Sequence, residues 1–181
     1  SKGLLKDAQK LANQNVALLK DVVTEETPLI GIEPSAILTF RDEYIRLAAD
    51  KESAEKLAKN TFTVEEFFKR EIGNGKIHAD QFSEKEKSIK IHGHCHQKSL
   101  SSVEASFAML NVPKNNTVTI YNSGCCGMAG SFGYEKEHYK VSMQMGEDTL
   151  FPKVRNTAQN VKIAAAGTSC RHQIYDGTKR E

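Results

Sequence analysis

The chain has 181 residues, long enough to bury one hydrophobic core, and its 25 basic and 23 acidic side chains leave a formal net charge of +2. This near balance, without a basic stripe that interleaves with aromatic residues, argues against a nucleic-acid partner. No apolar run approaches the roughly 20 residues of a membrane-spanning helix and no charged-then-apolar leader is present, so we expect neither a transmembrane segment nor a secretory route.

In the first half of the chain, helices surround one short strand. Pro34 ends the strand because its ring removes a backbone donor, and Ser35 can cap the next helix. Thr63 with Glu66 three residues later is the capping-box pattern that opens another helix. The predicted elements are helices over 3–20, 36–49 and 50–60, a strand over 29–32, a helix after residue 63, and an exposed loop up to residue 87.

The second half alternates strands with helices more regularly. Ile89 and Ile91 alternate with Lys90 and His92, which is the period of a strand with two different faces. The predicted elements are strands over 89–92, 117–121 and 161–166, helices over 98–110, 134–145 and 150–156, and a final helical turn near residue 172.

This alternation predicts an α/β fold. We expect a three-layer, mostly parallel sheet with helices on both faces, Rossmann-like, in a single domain over residues 1–181. Right-handed crossovers place the loop after every parallel strand at the same edge of the sheet, where open α/β sheets bind their ligands. Residues that come directly after the predicted strands should therefore be neighbours in space.

All four cysteines come after predicted strands. Cys95 comes after the strand over 89–92, Cys125 and Cys126 come after the next strand, and Cys170 comes after the last. Their separations are longer than zinc-finger knuckles and do not resemble a secreted disulfide scaffold, so a cytoplasmic thiol or metal role is expected. A lone cysteine is more often an inert buried side chain. Four at strand ends, beside Gly and His, favour a site for zinc, copper(I) or an iron–sulfur cluster.

Histidines accompany these thiols. His94 and His96 flank Cys95, and at least one of them should face the site, as a metal ligand or as a hydrogen-bond partner of one. His92 should point to the sheet face opposite its isoleucine neighbours and is expected to be solvated. Glu33 is more often a capping carboxylate than a catalyst, and no catalytic residue is predicted.

The double-cysteine loop is rich in glycine. Gly124, Gly127, Gly130 and Gly133 recur at every third residue. A phosphate-cradling loop is one interpretation, but the spacing is not G-x-G-x-x-G. We favour glycines that let the backbone pack closely against cysteine ligands or against a helix.

Four stretches of the sequence resemble the cysteine-rich CCG domain. That domain occurs in heterodisulfide reductase, in iron–sulfur subunits of glycolate oxidase and anaerobic glycerol-3-phosphate dehydrogenase, and in FAD-linked oxidases of the D-lactate and 2-hydroxyglutarate dehydrogenase type. The stretches are Gly-Ile-Glu-Pro-Ser at 31–35, His-Cys-His-Gln-Lys at 94–98, Asn-Ser-Gly-Cys-Cys-Gly-Met-Ala-Gly at 122–130 and Thr-Ser-Cys-Arg-His-Gln-Ile at 168–174. The Arg-His-Gln-Ile ending is similar to the FAD-linked oxidase branch.

The resemblance implies a [4Fe–4S] cluster, or zinc in some members. Its ligands would be Cys95, Cys125, Cys126 and Cys170. Many relatives carry further cysteines where this chain has Ala36 and Gly167, which disfavours a non-cubane cluster but leaves enough thiolates for a cubane or for tetrahedral zinc. Residues 1–5 resemble the segment after a first CCG motif, so we expect a fragment of a larger oxidoreductase that lacks the first strand of its sheet.

The favoured hypothesis is an electron-transfer domain of a FAD-linked 2-hydroxyacid dehydrogenase. A cluster here would pass electrons from a flavin domain or subunit, which holds the FAD, to an acceptor, in the cytoplasm or peripherally at the inner face of the membrane. Hydrogen bonds to the sulfurs are assigned to the backbone of Gly124 and Gly127 or to Thr168 and Ser169. The alternatives are a zinc-stabilised interaction domain and a heterodisulfide reductase-like thiol redox domain. The latter ranks last because a disulfide between adjacent cysteines would be strained.

Overall fold

The computed structural model describes residues 3–180, in which short parallel strands alternate with helices. The helices are α1 (Leu5–Leu19), α2 (Pro34–Ile37), α3 (Glu43–Leu47), α4 (Lys51–Lys59), α5 (Val64–Gly73), α6 (Cys95–Leu100), α7 (Val103–Leu110), α8 (Tyr139–Arg155) and α9 (Thr168–Thr178). The strands are β1 (Leu29–Gly31), β2 (Thr61–Thr63), β3 (Lys87–His92), β4 (Asn116–Ile120) and β5 (Lys162–Ala165). Short 3-10 helices lie at Leu38–Arg41, Ala79–Gln81 and Phe132–Tyr134. No helix among these residues is long and apolar enough to cross a membrane.

The strands of the second half form a parallel sheet in the order β4-β3-β5. Ile89 on β3 pairs with Val118 on β4 and with Lys162 on β5, so β3 is the central strand. The chain leaves β3 toward one side and later returns on the other side. This change of direction creates a crevice at the C-terminal ends of the strands, which is where such sheets bind ligands.

Helices cover both faces of this sheet. On one face, Ile89, Ile91 and Val118 form a buried cluster with Val103 and Phe107 of α7. The other face packs against α8 and α9, and the buried cluster there contains Tyr121, Cys126, Met128, Leu150, Phe151, Val154, Cys170 and Ile174. The predicted α/β fold, with helices on both sides of parallel strands, is confirmed.

A second, smaller sheet precedes this one. β1 and β2 are parallel, with Leu29 opposite Thr61. A separate buried cluster beside them contains Val16 of α1 and Leu57 of α4. Among the described residues the strands therefore form two sheets. Strand β2 was not predicted because its three residues carry too little pattern. The expectation about residues 1–5 lies partly outside the described residues.

Two predicted helices are interrupted in the structure. The helix over 36–49 is divided into α2, a 3-10 helix and α3. The helix over 98–110 is interrupted between α6 and α7, because the Ser101 hydroxyl donates to Glu66 at 2.6 Å and the Ser102 hydroxyl accepts from the Glu104 amide. Serine hydroxyls that bind such partners compete with helix continuation.

The helices predicted over 134–145 and 150–156 are the single helix α8, which begins at Tyr139 rather than at residue 134, and the final turn is the 11-residue helix α9. Gly146 lies inside α8, where its missing side chain leaves room for the Phe151 ring; a Cβ there would lie 2.3 Å from Phe151 Cζ. The glycine therefore serves packing rather than marking a helix end.

An ion-pair network joins the first half of the chain to the end of α6. Arg41 makes a bidentate ion pair with Glu66, with N···O distances of 2.8 and 2.6 Å, and donates to the Leu100 carbonyl at 3.3 Å. Glu66 also completes the predicted capping box with Thr63, which is confirmed. Burial raises the pKa of Glu66, but hydrogen bonds from Arg41 and Ser101 outweigh burial and lower it.

Replacing Arg41 with methionine should lower the free energy of unfolding by about 2 kcal/mol, because the partly buried Glu66 carboxylate loses its charged donor. The matched control is Arg46→Ala, which removes an exposed ion pair with Asp42 and should cost less than about 0.5 kcal/mol. Urea denaturation measures both losses. Equal losses would contradict a specific role for the network.

Candidate metal centre

The four thiols lie at the C-terminal edge of the β4-β3-β5 sheet. Cys95 is the first residue of α6, directly after β3, and Cys170 lies in the first turn of α9, after β5. Cys125 and Cys126 lie in the loop after β4. All four are free thiols; Cys95 is exposed, whereas Cys126 and Cys170 are buried. Loops from three adjacent strands thus bring together cysteines that are far apart in sequence.

The thiols form a chain of interacting neighbours, called here the row, that leads from the exposed Cys95 to the buried Cys170. Cys95 interacts with Cys125, Cys125 with Cys126, and Cys126 with Cys170, and the two ends are near enough that Cys170 also raises the pKa of Cys95. The hydrogen bond to Cys125 raises the pKa of Cys95, and hydrogen bonds to its two sulfur neighbours raise the pKa of Cys126. Hydrogen bonds from Cys126 lower the pKa of Cys125 and bring the pKa of Cys170 to about 5. Two positions therefore favour the thiolate, the form that binds metals.

His92, the last residue of β3, closes the buried end of this row. Its side chain is fully buried, and one ring nitrogen and the sulfurs of Cys126 and Cys170 all lie within 4.8 Å of one another. These three donors form a cluster that could bind a metal ion. The expectation that His92 is solvated is wrong. Alternation along β3 turns it away from Ile91, but that second face of the sheet is covered by α9 and the cysteine loop.

His94 and His96 lie at the same edge but outside that cluster of three donors. His94 is buried, and its Nδ1 accepts a hydrogen bond from the backbone N–H of His96 at 3.2 Å. Its ring packs on Gly167, where a Cβ would lie 2.2 Å from His94 Cδ2. A cavity of about 310 Å³ beside them is lined by Glu33, Ser35, His94, His96, Gly130, Tyr134, Thr168 and Ser169. A role of either histidine as a ligand stays a prediction.

Close packing explains the glycine after the double cysteine. Gly127 has φ +98°, and a Cβ there would lie 2.0 Å from the carbonyl oxygen of Ser142 on α8. Its N–H donates to Cys125 Sγ at 3.3 Å, whereas the N–H of Gly124 donates to the Thr149 hydroxyl. The close-packing interpretation is therefore confirmed for this glycine but is wrong for Gly130, where no atom lies within 4 Å of the position of a Cβ.

Two lysines on different helices hold the double-cysteine loop. Lys98 on α6 donates through Nζ to the carbonyl of Ser123 at 2.8 Å, and Lys153 on α8 donates to the carbonyl of Asn122. The charge of Lys98 partly offsets the rise in the pKa of Cys95. The loop is thus both fixed in position and flanked by positive charge, which favours anionic sulfur.

Glu33 connects the first strand to this edge. Its carboxylate accepts from the Thr168 N–H at 2.8 Å, at the start of α9, and from the Ser35 hydroxyl at 2.8 Å. Burial raises the pKa of Glu33, but these hydrogen bonds outweigh burial and hold the pKa below its usual value. Glu33 is a capping carboxylate, as predicted. The Thr168 N–H is taken by Glu33, and the Thr168 hydroxyl accepts from Arg171 at 3.0 Å.

The stabilising effect of Glu33 should depend on pH. Because its pKa is lowered in the folded state, its contribution is fully present above the usual value of 4.5 and is lost as the pH falls through the folded-state pKa. Urea denaturation of the wild type and of Glu33→Gln should show a stability difference at pH 6 that shrinks below about pH 4.5. A difference that does not change with pH would contradict the role of the charge.

The sequence of this chain is similar to parts of two kinds of dehydrogenase. The chain is 27% identical to D-2-hydroxyglutarate dehydrogenase of Haemophilus influenzae, over 96% of this chain and 17% of that protein. It is 27% identical to the Escherichia coli D-2-hydroxyglutarate dehydrogenase, over 96% of this chain and 16% of that protein. It is also 25% identical to one subunit of the anaerobic glycerol-3-phosphate dehydrogenase of Escherichia coli, over 97% of this chain and 43% of that protein.

The chain therefore spans about a sixth of the length of the D-2-hydroxyglutarate dehydrogenases that it matches. No protein-family model and no solved structure matches it. The similarity to these dehydrogenases that the motifs predict is confirmed, whereas membership of the CCG domain family stays a prediction.

Proposed function

We propose that the chain is a metal-binding, electron-transfer domain of a FAD-linked 2-hydroxyacid dehydrogenase. The observation that carries this proposal is the row of Cys95, Cys125, Cys126 and Cys170 at one edge of a parallel sheet. Similarity to two kinds of dehydrogenase supports a redox role. The flavin that oxidises the substrate, and the final electron acceptor, would then belong to the rest of a longer protein or to partner subunits.

The residues at this edge fit a soft metal centre. Four sulfur donors suffice for a [4Fe–4S] cluster, and Cys95, Cys125, Cys126 and Cys170 would hold it. The buried His92 ring lies beside two of these sulfurs and helps to lower the pKa of Cys170, which favours the thiolate form there. When bound, such a cluster takes up and releases single electrons.

The surrounding residues would set how readily the centre accepts an electron. The Gly127 N–H donates to the Cys125 sulfur, and the ammonium groups of Lys98 and Lys153 bind the backbone of the same loop. Hydrogen bonds and positive charge near thiolate sulfur stabilise the more negative, reduced state and so raise the reduction potential. The exposed Cys95 marks the end of the row where a redox partner could approach most closely.

A zinc-stabilised interaction domain is the second candidate, and the compactness of the buried end favours it. The donor atoms of His92, Cys126 and Cys170 lie within 4.8 Å of one another. Tetrahedral zinc with Zn–S bonds of about 2.3 Å places two ligand sulfurs about 3.8 Å apart. A cubane cluster binds each thiolate to a different iron atom, so its ligands must stand further apart.

Anaerobic reconstitution with iron and sulfide separates the two candidates. An electron-transfer domain should incorporate both elements and, after reduction, give the EPR signal of a paramagnetic cluster, in the chain and in the full-length protein that contains it. The zinc candidate predicts instead one tightly bound zinc that iron and sulfide do not displace. Absence of a cluster from the anaerobically purified full-length protein would contradict the electron-transfer proposal.

A further inference from the structure

The His92 ring is oriented by a contact on only one of its two nitrogens. Nδ1 lies 2.8 Å from the Ser123 hydroxyl. Nε2 is buried and makes no well-formed hydrogen bond among residues 3–180, and the nearby group that the ring does act on is Cys170, whose pKa the His92 side chain helps to lower. Buried histidines usually satisfy both nitrogens, because an unpaired polar atom away from water is costly. The ring is therefore held on one nitrogen and directed at the sulfurs of Cys126 and Cys170.

The fold holds this ring in place. β3 is the central strand, and His92 pairs with Ala165 on β5, so the alternation of the strand directs its side chain to the face that carries α9. Ser123 is fixed in turn, because Lys98 donates to its carbonyl at 2.8 Å. A metal-binding histidine is typically held in this way, with one nitrogen bound by a neighbouring oxygen so that the other keeps its lone pair for the metal.

We propose that His92 is a metal ligand at the buried end of the cysteine row, binding through Nε2 beside Cys126 and Cys170. In this state Nδ1–H donates a hydrogen bond to the Ser123 hydroxyl, which selects the tautomer that leaves the lone pair of Nε2 for the metal. This inference rests on the zinc candidate of the proposed function, since four cysteine thiolates already fill the four iron sites of a cubane and leave none for His92. It supplies a nitrogen donor at a site where the sequence motifs indicate sulfur alone.

X-ray absorption at the zinc edge tests this proposal on the reduced chain loaded with one equivalent of zinc. The wild type should show one nitrogen at about 2.0–2.1 Å in addition to sulfur at about 2.3 Å. His92→Ala should lose the nitrogen, whereas the control His96→Ala, at the same edge but outside the cluster of three donors, should keep it. His92→Cys should restore zinc affinity with a shell of sulfur alone.

Competition with a chelator gives a second readout that does not require His92 to be removed. Ser123→Ala leaves the ring but frees Nδ1, and it should weaken zinc binding about tenfold, as loss of a residue that orients a ligand commonly does. His92→Ala should weaken binding by more than that. An unchanged affinity in Ser123→Ala would oppose the proposal even if His92→Ala failed to fold.

The outcomes also separate this inference from the proposed function. A wild-type shell of sulfur alone, or a nitrogen that persists in His92→Ala, would overturn the role of His92 and leave the thiolate centre intact. Failure of the wild type to bind either zinc or an iron–sulfur cluster would overturn the metal centre itself, and the role of His92 with it.

Discussion

Replacing Gly127 with alanine should lower the free energy of unfolding by about 3 kcal/mol, as the combined effect of backbone strain and overpacking. The residue has φ +98°, a conformation that L side chains rarely adopt. Its Cβ would also lie 2.0 Å from the backbone carbonyl oxygen of Ser142. Because that oxygen belongs to α8, the helix must move or the cysteine loop must rearrange.

Gly130→Ala is the matched control for this prediction. Gly130 also has positive φ, at +70°, but no atom lies within 4 Å of the position that a Cβ would take. Only the backbone penalty then applies, and we expect a loss of about 1 kcal/mol. Urea denaturation measures both variants, and equal losses would show that contact with α8 does not determine the conformation of the loop.

Cys126→Ser should weaken zinc binding by more than about 100-fold, a larger effect than the 10- to 100-fold loss expected on removal of a residue that only supports a ligand. Cys126 lies in the middle of the row, where it interacts with both Cys125 and Cys170, and it belongs to the compact group with His92. The same change at the exposed end, Cys95→Ser, should reduce zinc affinity by about tenfold or less. Chelator competition measures both.

The same pair of variants distinguishes zinc from a cluster. A cubane needs all four thiolates, so Cys95→Ser and Cys126→Ser should both lose most of the iron and sulfide that the wild type incorporates. Equal zinc affinities for the two variants would contradict a zinc site at the buried end. Full cluster incorporation by Cys126→Ser would contradict the assignment of its sulfur as a ligand.

The convergence of the cysteines could be predicted from the sequence because it depends only on topology. Parallel strands joined by right-handed crossovers place every loop after a strand at one edge, so the positions of Cys95, Cys125 and Cys170 after strands were sufficient. The capping box of Thr63 and Glu66 could be predicted for a different reason. Both partners lie within one helical turn, so the pattern is complete in the local sequence.

The burial of His92 could not be predicted in the same way. Alternation along β3 indicates the face to which its side chain points, but not what covers that face. The cover depends on α9, for which the sequence indicated only a turn near residue 172, whereas the helix spans Thr168–Thr178. The break between α6 and α7 was missed for a related reason, since the partner of Ser101 is Glu66, 35 residues earlier. In both cases the deciding contact is tertiary.

Protection of thiols by a bound metal tests the central claim most directly. In the reduced chain, the half-buried Cys125 has a lowered pKa and should react fastest with an alkylating reagent. Cys95 is exposed but its pKa is raised, so it should react at a slower, measurable rate, and the buried Cys126 and Cys170 should be the best shielded. Mass spectrometry can follow each cysteine during anaerobic reconstitution with iron and sulfide. We predict that all four cysteines become protected together, Cys95 included, in proportion to the cluster formed. Alkylation of Cys95 at an unchanged rate in the loaded protein would contradict a single centre held by the four thiols.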